Sequence, residues 1–263
     1  MQQHAVATRR RTTSLILDAD GRRLTRRNAT RAFAVLLVAA FAACSDSAGL
    51  VDGEIQLEFD FSKGIQGWVA GFADYPVGKE TEWAIGSSLA PLPAPLDASR
   101  SAILLTGVNH SDDLFMYLTR GLTGLAPNAS YSARFHVTLA TNAPKACAGI
   151  GGAPGESVVL KVGATATEPG RIVDAGQYYR ATFDYGSQLA GGRNAASVGD
   201  LATSNTNCSV PRYELKEFDS GSMPLTFRTD GSGRLWLIVG IDSGFEGTTA
   251  AYVTAVRVEL VPR

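Results

Sequence analysis

Histidine is scarce in this chain, three residues among 263, and cysteine and methionine are equally rare at three each. With two histidines outside the leading segment and no CxxC pair, a zinc site is a poor reading of the sequence. The Gly-rich run 148–157 lacks the Lys-Ser/Thr pair that holds phosphate and magnesium, and it precedes a strand pattern rather than a helix. Nor is it the Gly-x-Ser-x-Gly nucleophile elbow. Ser157 has no evident base, since His136 sits mid-strand and His110 lies in a loop. No segment sustains a helical period, and no repeat of fixed length is visible. These absences weigh against nucleotide, zinc and serine-nucleophile chemistry and lower the enzyme reading without excluding a carboxylate-based one.

Charge is unevenly spread. The first 44 residues hold eight Arg and two acidic residues, so the remainder carries 16 Lys and Arg against 23 Asp and Glu, a net charge of −7. A nucleic-acid partner is disfavoured, because such proteins need a basic face to neutralise phosphate. The split has a targeting logic. Arg26, Arg27 and Arg31 precede a short apolar run at 32–43 that is too short to span a bilayer as a stable helix. Phe41-Ala42-Ala43-Cys44 resembles the lipobox of bacterial lipoproteins, with Phe41 where that family usually has leucine. The resemblance implies a signal peptide at 1–43, lipidation at Cys44, and a polar tether over 44–53. Ser45 resembles the pattern that sends such proteins to the outer membrane of a two-membrane cell. The alternative is ordinary cleavage after Ala42 and a secreted soluble protein. The remaining cysteines, Cys147 and Cys208, read as a disulfide in an exported chain. Closing a loop of roughly 60 residues would add about 3–5 kcal/mol by restricting the unfolded state.

The body of the chain alternates with a period of two. Across 114–140, Tyr131, Ala133, Phe135, Val137 and Leu139 share one face, with Arg134, His136 and Thr138 on the other; Ala126-Pro127-Asn128 supplies the turn. Residues 54–61 place Ile55, Leu57, Phe59 and Phe61 on one face. Further strands are expected at 68–72, 81–86, 102–106, 157–162, 178–183, 213–218 and 224–228. The run 235–241 is apolar enough to be buried on both faces, and 252–261 alternates again. The Pro-rich stretch 90–96 cannot be a central strand. Residues 142–212, rich in Gly, Ala, Ser and Asn, read as an insertion of loops and short strands pinned by the disulfide. The fold class is all-β: an antiparallel, jelly-roll-like β-sandwich with a Gly-rich, disulfide-pinned insertion, one domain over 54–263.

Three pieces resemble jelly-roll carbohydrate-binding modules and galactose-binding-like domains. They are the aromatic strand and Gly-Trp of Phe59 to Trp68, the hairpin around Gly124 to Tyr131, and the closing strands across 235–260. The resemblance implies the sandwich and, as an expectation, a polysaccharide ligand. Many such modules hold a structural calcium between an early carboxylate and an Asp in the last strand. Glu54, Glu58 or Asp60 could serve as the first, but Tyr252-Val253-Thr254-Ala255 offers no second, so calcium stays possible without its usual site. No other cofactor is implied.

Candidate ligand-binding groups are Asp112 and Asp113, before the central strand, and Asp242 and Glu246, after the most buried one. Each pair could ligate with hard oxygens, accept sugar hydroxyls, or be a plain turn. Trp83 and Tyr75 lie in polar, Pro/Gly-flanked surroundings and are expected at the surface as a platform for sugar rings, whereas Trp68 and Trp236 belong to the core. The reading is a non-catalytic binding domain at the bacterial cell envelope, attached to the membrane by lipid, with polysaccharide as its partner. The alternatives are an envelope assembly lipoprotein without a small ligand, or a glycan hydrolase with carboxylates about 5–9.5 Å apart across a cleft.

Overall fold

A computed structural model describes residues 49–51, 53–111, 113–221 and 225–263. Cys44, the whole leading segment and Asp112 lie outside the described residues. In chain order the strands are β1 Gly49–Val51, β2 Glu54–Asp60, β3 Val69–Ala73, β4 Tyr75–Pro76, β5 Gly86–Pro91, β6 Ser101–Val108, β7 Leu114–Leu122 and β8 Ser130–Thr141. They continue with β9 Val158–Thr165, β10 Arg171–Val173, β11 Tyr178–Ala181, β12 Ala195–Asp200, β13 Glu214–Asp219, β14 Leu225–Arg228, β15 Leu235–Ser243 and β16 Thr248–Pro262. All pairings are antiparallel.

The strands form a jelly-roll-like sandwich. One sheet is built on the long β16, which pairs with β6 and then β2 along one edge and with β8 along the other; β13 and β14 lie end to end beyond β8. The second sheet runs β12-β9-β15-β7-β3. Between them Leu57, Phe59, Phe135, Val137, Leu160, Leu237, Val239, Val256 and Val258 form the main core. The inward set is the one that period-two alternation predicts on β2 and β8, and β15 is buried on both faces as its apolar run leads one to expect. On β16 a bulge at Thr254, whose hydroxyl donates to the Thr138 carbonyl at 2.9 Å, resets the alternation, so Val253 and Val256 both face inward.

Two segments differ from the pattern expected of the sequence. Residues 81–86 form tight turns rather than a strand: Trp83 N–H donates to the Lys79 carbonyl at 2.9 Å and Ile85 N–H to that of Glu80 at 3.0 Å. The strand begins at Gly86 and runs into the Pro-rich stretch as an edge, where proline is tolerated. Within 142–212, β9 is no insertion strand but a central, fully buried member of the second sheet, with β12 at its side. The disulfide is present, Cys147–Cys208, with a sequence separation of 61.

The inserted layer lies against the outer face of the second sheet. β10, β11 and β4 make a three-stranded sheet, and Phe183 and Tyr185 join Phe115, Tyr117, Ala195 and Ile238 in a second core. Glycine permits that approach. At Gly240 a Cβ would stand 2.4 Å from the Phe115 ring, and at Gly163 it would stand 1.9 Å from the Asn194 carbonyl oxygen. The Phe115 ring lies parallel to Tyr185, with centroids 3.8 Å apart.

Candidate functional site

Asp113, Asp242 and Tyr75, singled out in the sequence, lie at or beneath this inserted layer. Asp242 closes β15 on its outward face and is fully buried beside the equally buried Lys161 of β9, with 2.8 Å between Nζ and Oδ2. Lys161 also donates to the carbonyls of Tyr185 and Ala190 at 2.9 and 2.8 Å, which ties the inserted loop to the sheet. Asp74, 2 % exposed, accepts from Arg180 Nη1 at 2.7 Å and from the Tyr185 hydroxyl. Arg180 donates in turn to Asp174 at 2.8 Å and lies 3.9 Å from Asp113.

Electrostatics follow from this crowding. Burial, and then the like charge of Asp113, push the Asp74 carboxyl up to about 7 against the pull of Arg180. Burial pushes Asp242 up to about 6, opposed by the Lys161 bond and charge and reinforced by Asp113. Asp174 and Asp74 hold the Arg180 guanidinium above its ordinary value. The arrangement is a latch of ion pairs between β9, β15, the turn at Asp74 and the inserted layer.

Several sequence expectations are corrected here. Asp242 is no loop ligand, because β15 continues to Ser243 and carries it into the interior. Asp113 is drawn into the same electrostatic cluster, and Glu246 lies half-buried in the loop after β15, its backbone N–H donating to the Ile150 carbonyl at 2.9 Å. Tyr75 and Trp83 form no surface platform. They are 0 % and 2 % exposed: β11 and the Tyr179 ring, 5.1 Å from Tyr75, cover Tyr75, and Trp83 packs against the rings of Tyr75 and His110 at 6.0 and 5.4 Å. Trp236 is only half-buried on the outer face of its strand, under the Arg234 guanidinium at 5.2 Å. The signal for the latch was one lysine inside the otherwise apolar run Val158–Thr165. A cation there demands a buried anion.

The open site is on the other sheet. On its outer face β2, β16, β8 and β13 lie side by side, and their register sets two cross-strand rows. One is Asp60, Ala255, Thr138 and Glu217; the next is Glu58, Arg257, His136 and Asp219. Ala255 contributes only a methyl group among long polar neighbours, so the surface sinks there into a groove of about 450 Å³. His136 Nδ1 is 2.9 Å from Asp219, and its Nε2 is 3.6 Å from Glu259, which lies 3.5 Å from Arg257. Among the described residues the Glu58 and Glu217 carboxylates, on opposite walls, have no ion-pair partner. Sequence reading recognised this polar face only as the complement of the core.

Ala255 stands opposite Asp60 in the register and brings no carboxylate, and no group of three or more His, Cys, Asp or Glu among the described residues is placed to hold a metal. Among them, too, no helix is long and apolar enough to cross a membrane.

No protein-family model matches the chain, and no curated protein matches it. Solved structures with a similar fold include TmCBM61 in complex with β-1,4-galactotriose, at 14% identity over 76% of this chain and 92% of that one, with a TM-score of 0.36. The K1 cleaved adhesin domain of Lys-gingipain from Porphyromonas gingivalis W83 is 15% identical over 77% and 96%, with a TM-score of 0.35. TmCBM27, a carbohydrate-binding module with specific mannan recognition, is 14% identical over 77% and 94%, with a TM-score of 0.31. Likeness at this level carries nothing about a ligand.

Proposed function

We propose that the protein is a non-catalytic binding domain of the cell envelope that takes a polysaccharide along the groove of the β16 sheet. The observation that carries this reading is the groove itself. It is open and long enough to cross four strands, and carboxylates, an imidazole, a guanidinium and a hydroxyl line it. Such planar acceptors and donors match the hydroxyl pairs of a sugar chain through charge-assisted bonds. Glu58 and Glu217, without an ion-pair partner among the described residues, supply further acceptors. A carboxylate hydrolase is disfavoured because Asp242 is sealed beneath the inserted layer with Lys161 as its partner. An envelope assembly role without a small ligand is the second reading, and the open polar face would then meet protein.

The disulfide suits an oxidising compartment. With Cys44 as the lipidated residue, the domain would stand at the outer surface of a bilayer on a short tether. Labelling with a radioactive fatty acid tests this: Cys44→Ser should abolish incorporation, and retained label would refute the anchor. Affinity electrophoresis through gels containing individual polysaccharides tests the groove. Wild type should be retarded by at least one, and Glu217→Gln with Arg257→Ala should migrate as in a blank gel. Retardation unchanged in that double variant would move the ligand off this face. No retardation by any polysaccharide would favour the assembly role.

A further inference from the structure

A second cavity, of about 270 Å³, opens at one end of the sandwich beside the Cys147–Cys208 bridge. None of its lining residues carries a charge, in contrast to the groove. Its walls are stiff: Pro144, Pro154 and Pro211, the disulfide itself, and the ring of Phe245. Two glycines let that ring seat closely, since a Cβ at Gly149 or Gly247 would fall 2.5 or 2.4 Å from its carbons. The cavity is therefore held open by rings and a covalent bridge and does not depend on flexible side chains.

Two polar groups at this cavity are unused. Among the described residues, neither the half-buried Asn142 amide nor the Thr248 hydroxyl has a hydrogen-bond partner in the protein. A partly buried amide gains from a partner, and a fixed apolar wall gains from a flat face laid against it. Both demands are met by one kind of ligand, an uncharged ring with an apolar face and a hydrogen-bonding edge. We infer that this pocket binds a single neutral sugar ring, stacked toward Phe245 and bonded at its edge to Asn142 and Thr248. The choice of ligand class rests on the glycan reading above; the site shares no residue with the groove. The ring has two possible sources, the terminal unit of a glycan or a free monosaccharide.

The experiment is titration of the isotopically labelled protein, followed by amide NMR, with neutral methyl pyranosides and with matching oligosaccharides. The expected result is saturable shifts at Asn142, Phe245 and Thr248, with Phe245→Ala weakening binding about tenfold. Should Phe245→Ala loosen the fold, Asn142→Ala at the partly exposed rim gives the same reading with the ring in place. Arg257→Ala, in the groove, should leave these shifts unchanged. Oligosaccharides binding as well as the methyl pyranosides would identify a chain end, and binding of the single ring alone would identify a free sugar. No saturable shift at the three residues with any ligand, or shifts that Arg257→Ala removes, would overturn the site. Gel retardation by polysaccharide reports on the groove separately, so either site can fail while the other stands.

Discussion

Replacing Asp74 by Asn should change how the stability of this domain responds to pH. Asp74 is 2 % exposed and is raised from 3.8 to about 7 by burial and by Asp113. Its folded value lies above its unfolded one, so the folded state keeps a proton that the unfolded state has already released. The stability tied to that proton is complete below about pH 4 and is lost as pH rises through about 7. At about 1.4 kcal/mol for each pH unit of that interval, the loss reaches about 4 kcal/mol by pH 8, as an upper figure for one site. Asn presents the shape of the protonated acid at all pH values, tolerates the φ of 65° found at this position, and keeps an acceptor for Arg180. The Tyr185 hydroxyl can accept from the new amide instead of donating to the acid. Urea unfolding at pH 4.5, 6.0 and 7.5 is the assay. Wild type should weaken across the series and Asp74→Asn should weaken less, the two being closest at the lowest pH. Parallel profiles, or a wild type that gains stability as pH rises through this window, would refute the reasoning. Asp242, raised to about 6 with Lys161 opposing, contributes a smaller slope in the same direction that Asp74→Asn leaves in place.

Lys161→Met should destabilise by about 3–5 kcal/mol in urea unfolding, because it leaves Asp242 buried without its cation, whereas Lys161→Met with Asp242→Leu should recover most of that loss. A double variant no better than the single would show that the pair does more than cancel its own charges. Reducing Cys147–Cys208, or replacing both by Ser, should lower stability by about 3–5 kcal/mol in urea unfolding, with a steeper slope because the unlinked chain exposes more surface when unfolded. Gly163→Ala should cost about 1–3 kcal/mol and raise amide exchange in residues 184–194, since the added Cβ meets the Asn194 carbonyl. Rapid exchange in the wild type there would contradict a tightly seated layer.

The sandwich was legible because alternation is a local property. Tyr131, Phe135 and Val137 announce a half-buried strand without knowledge of what covers them, and β2 and β8 follow that announcement; the unbroken apolar run of β15 announces instead a strand buried on both faces, which it is. The third layer was not legible, because it depends on contacts made across long stretches of chain. Tyr75 looks exposed beside Asp74, Pro76 and Gly78 until Tyr179 arrives on β11 to cover it. Strand 252–261 read as one continuous alternation because a bulge has no compositional mark; Thr254 is as compatible with a regular strand as with a kink. Residues 142–212 read as insertion throughout because their glycines suggest loops, yet Gly163 is there to let a backbone lie flat on β9. The open groove escaped notice for a simpler reason. Polar alternation on a sheet face is the ordinary condition of a solvated surface, and only the register that puts Ala255 between Asp60 and Thr138 turns it into a depression.

The two sheets thus divide the labour of the domain. The β9–β15 sheet is covered on both faces, and its outward side, with Phe115, Tyr117, Lys161 and Asp242, is consumed in holding the inserted layer. A surface committed in this way cannot also receive a ligand without unlatching several ion pairs at once. Among the described residues the β16 sheet is covered on one face only, and the charges on its open side are partly satisfied among themselves through His136, Asp219, Glu259 and Arg257. Pairing of that kind, between half-exposed groups, contributes little to stability, so its residues can exchange protein partners for ligand hydroxyls at small cost. The carboxylates at Glu58 and Glu217 need not break any ion pair to do so. Binding should therefore respond to substitutions on the β16 face while stability barely moves, and stability should respond to substitutions at the latch.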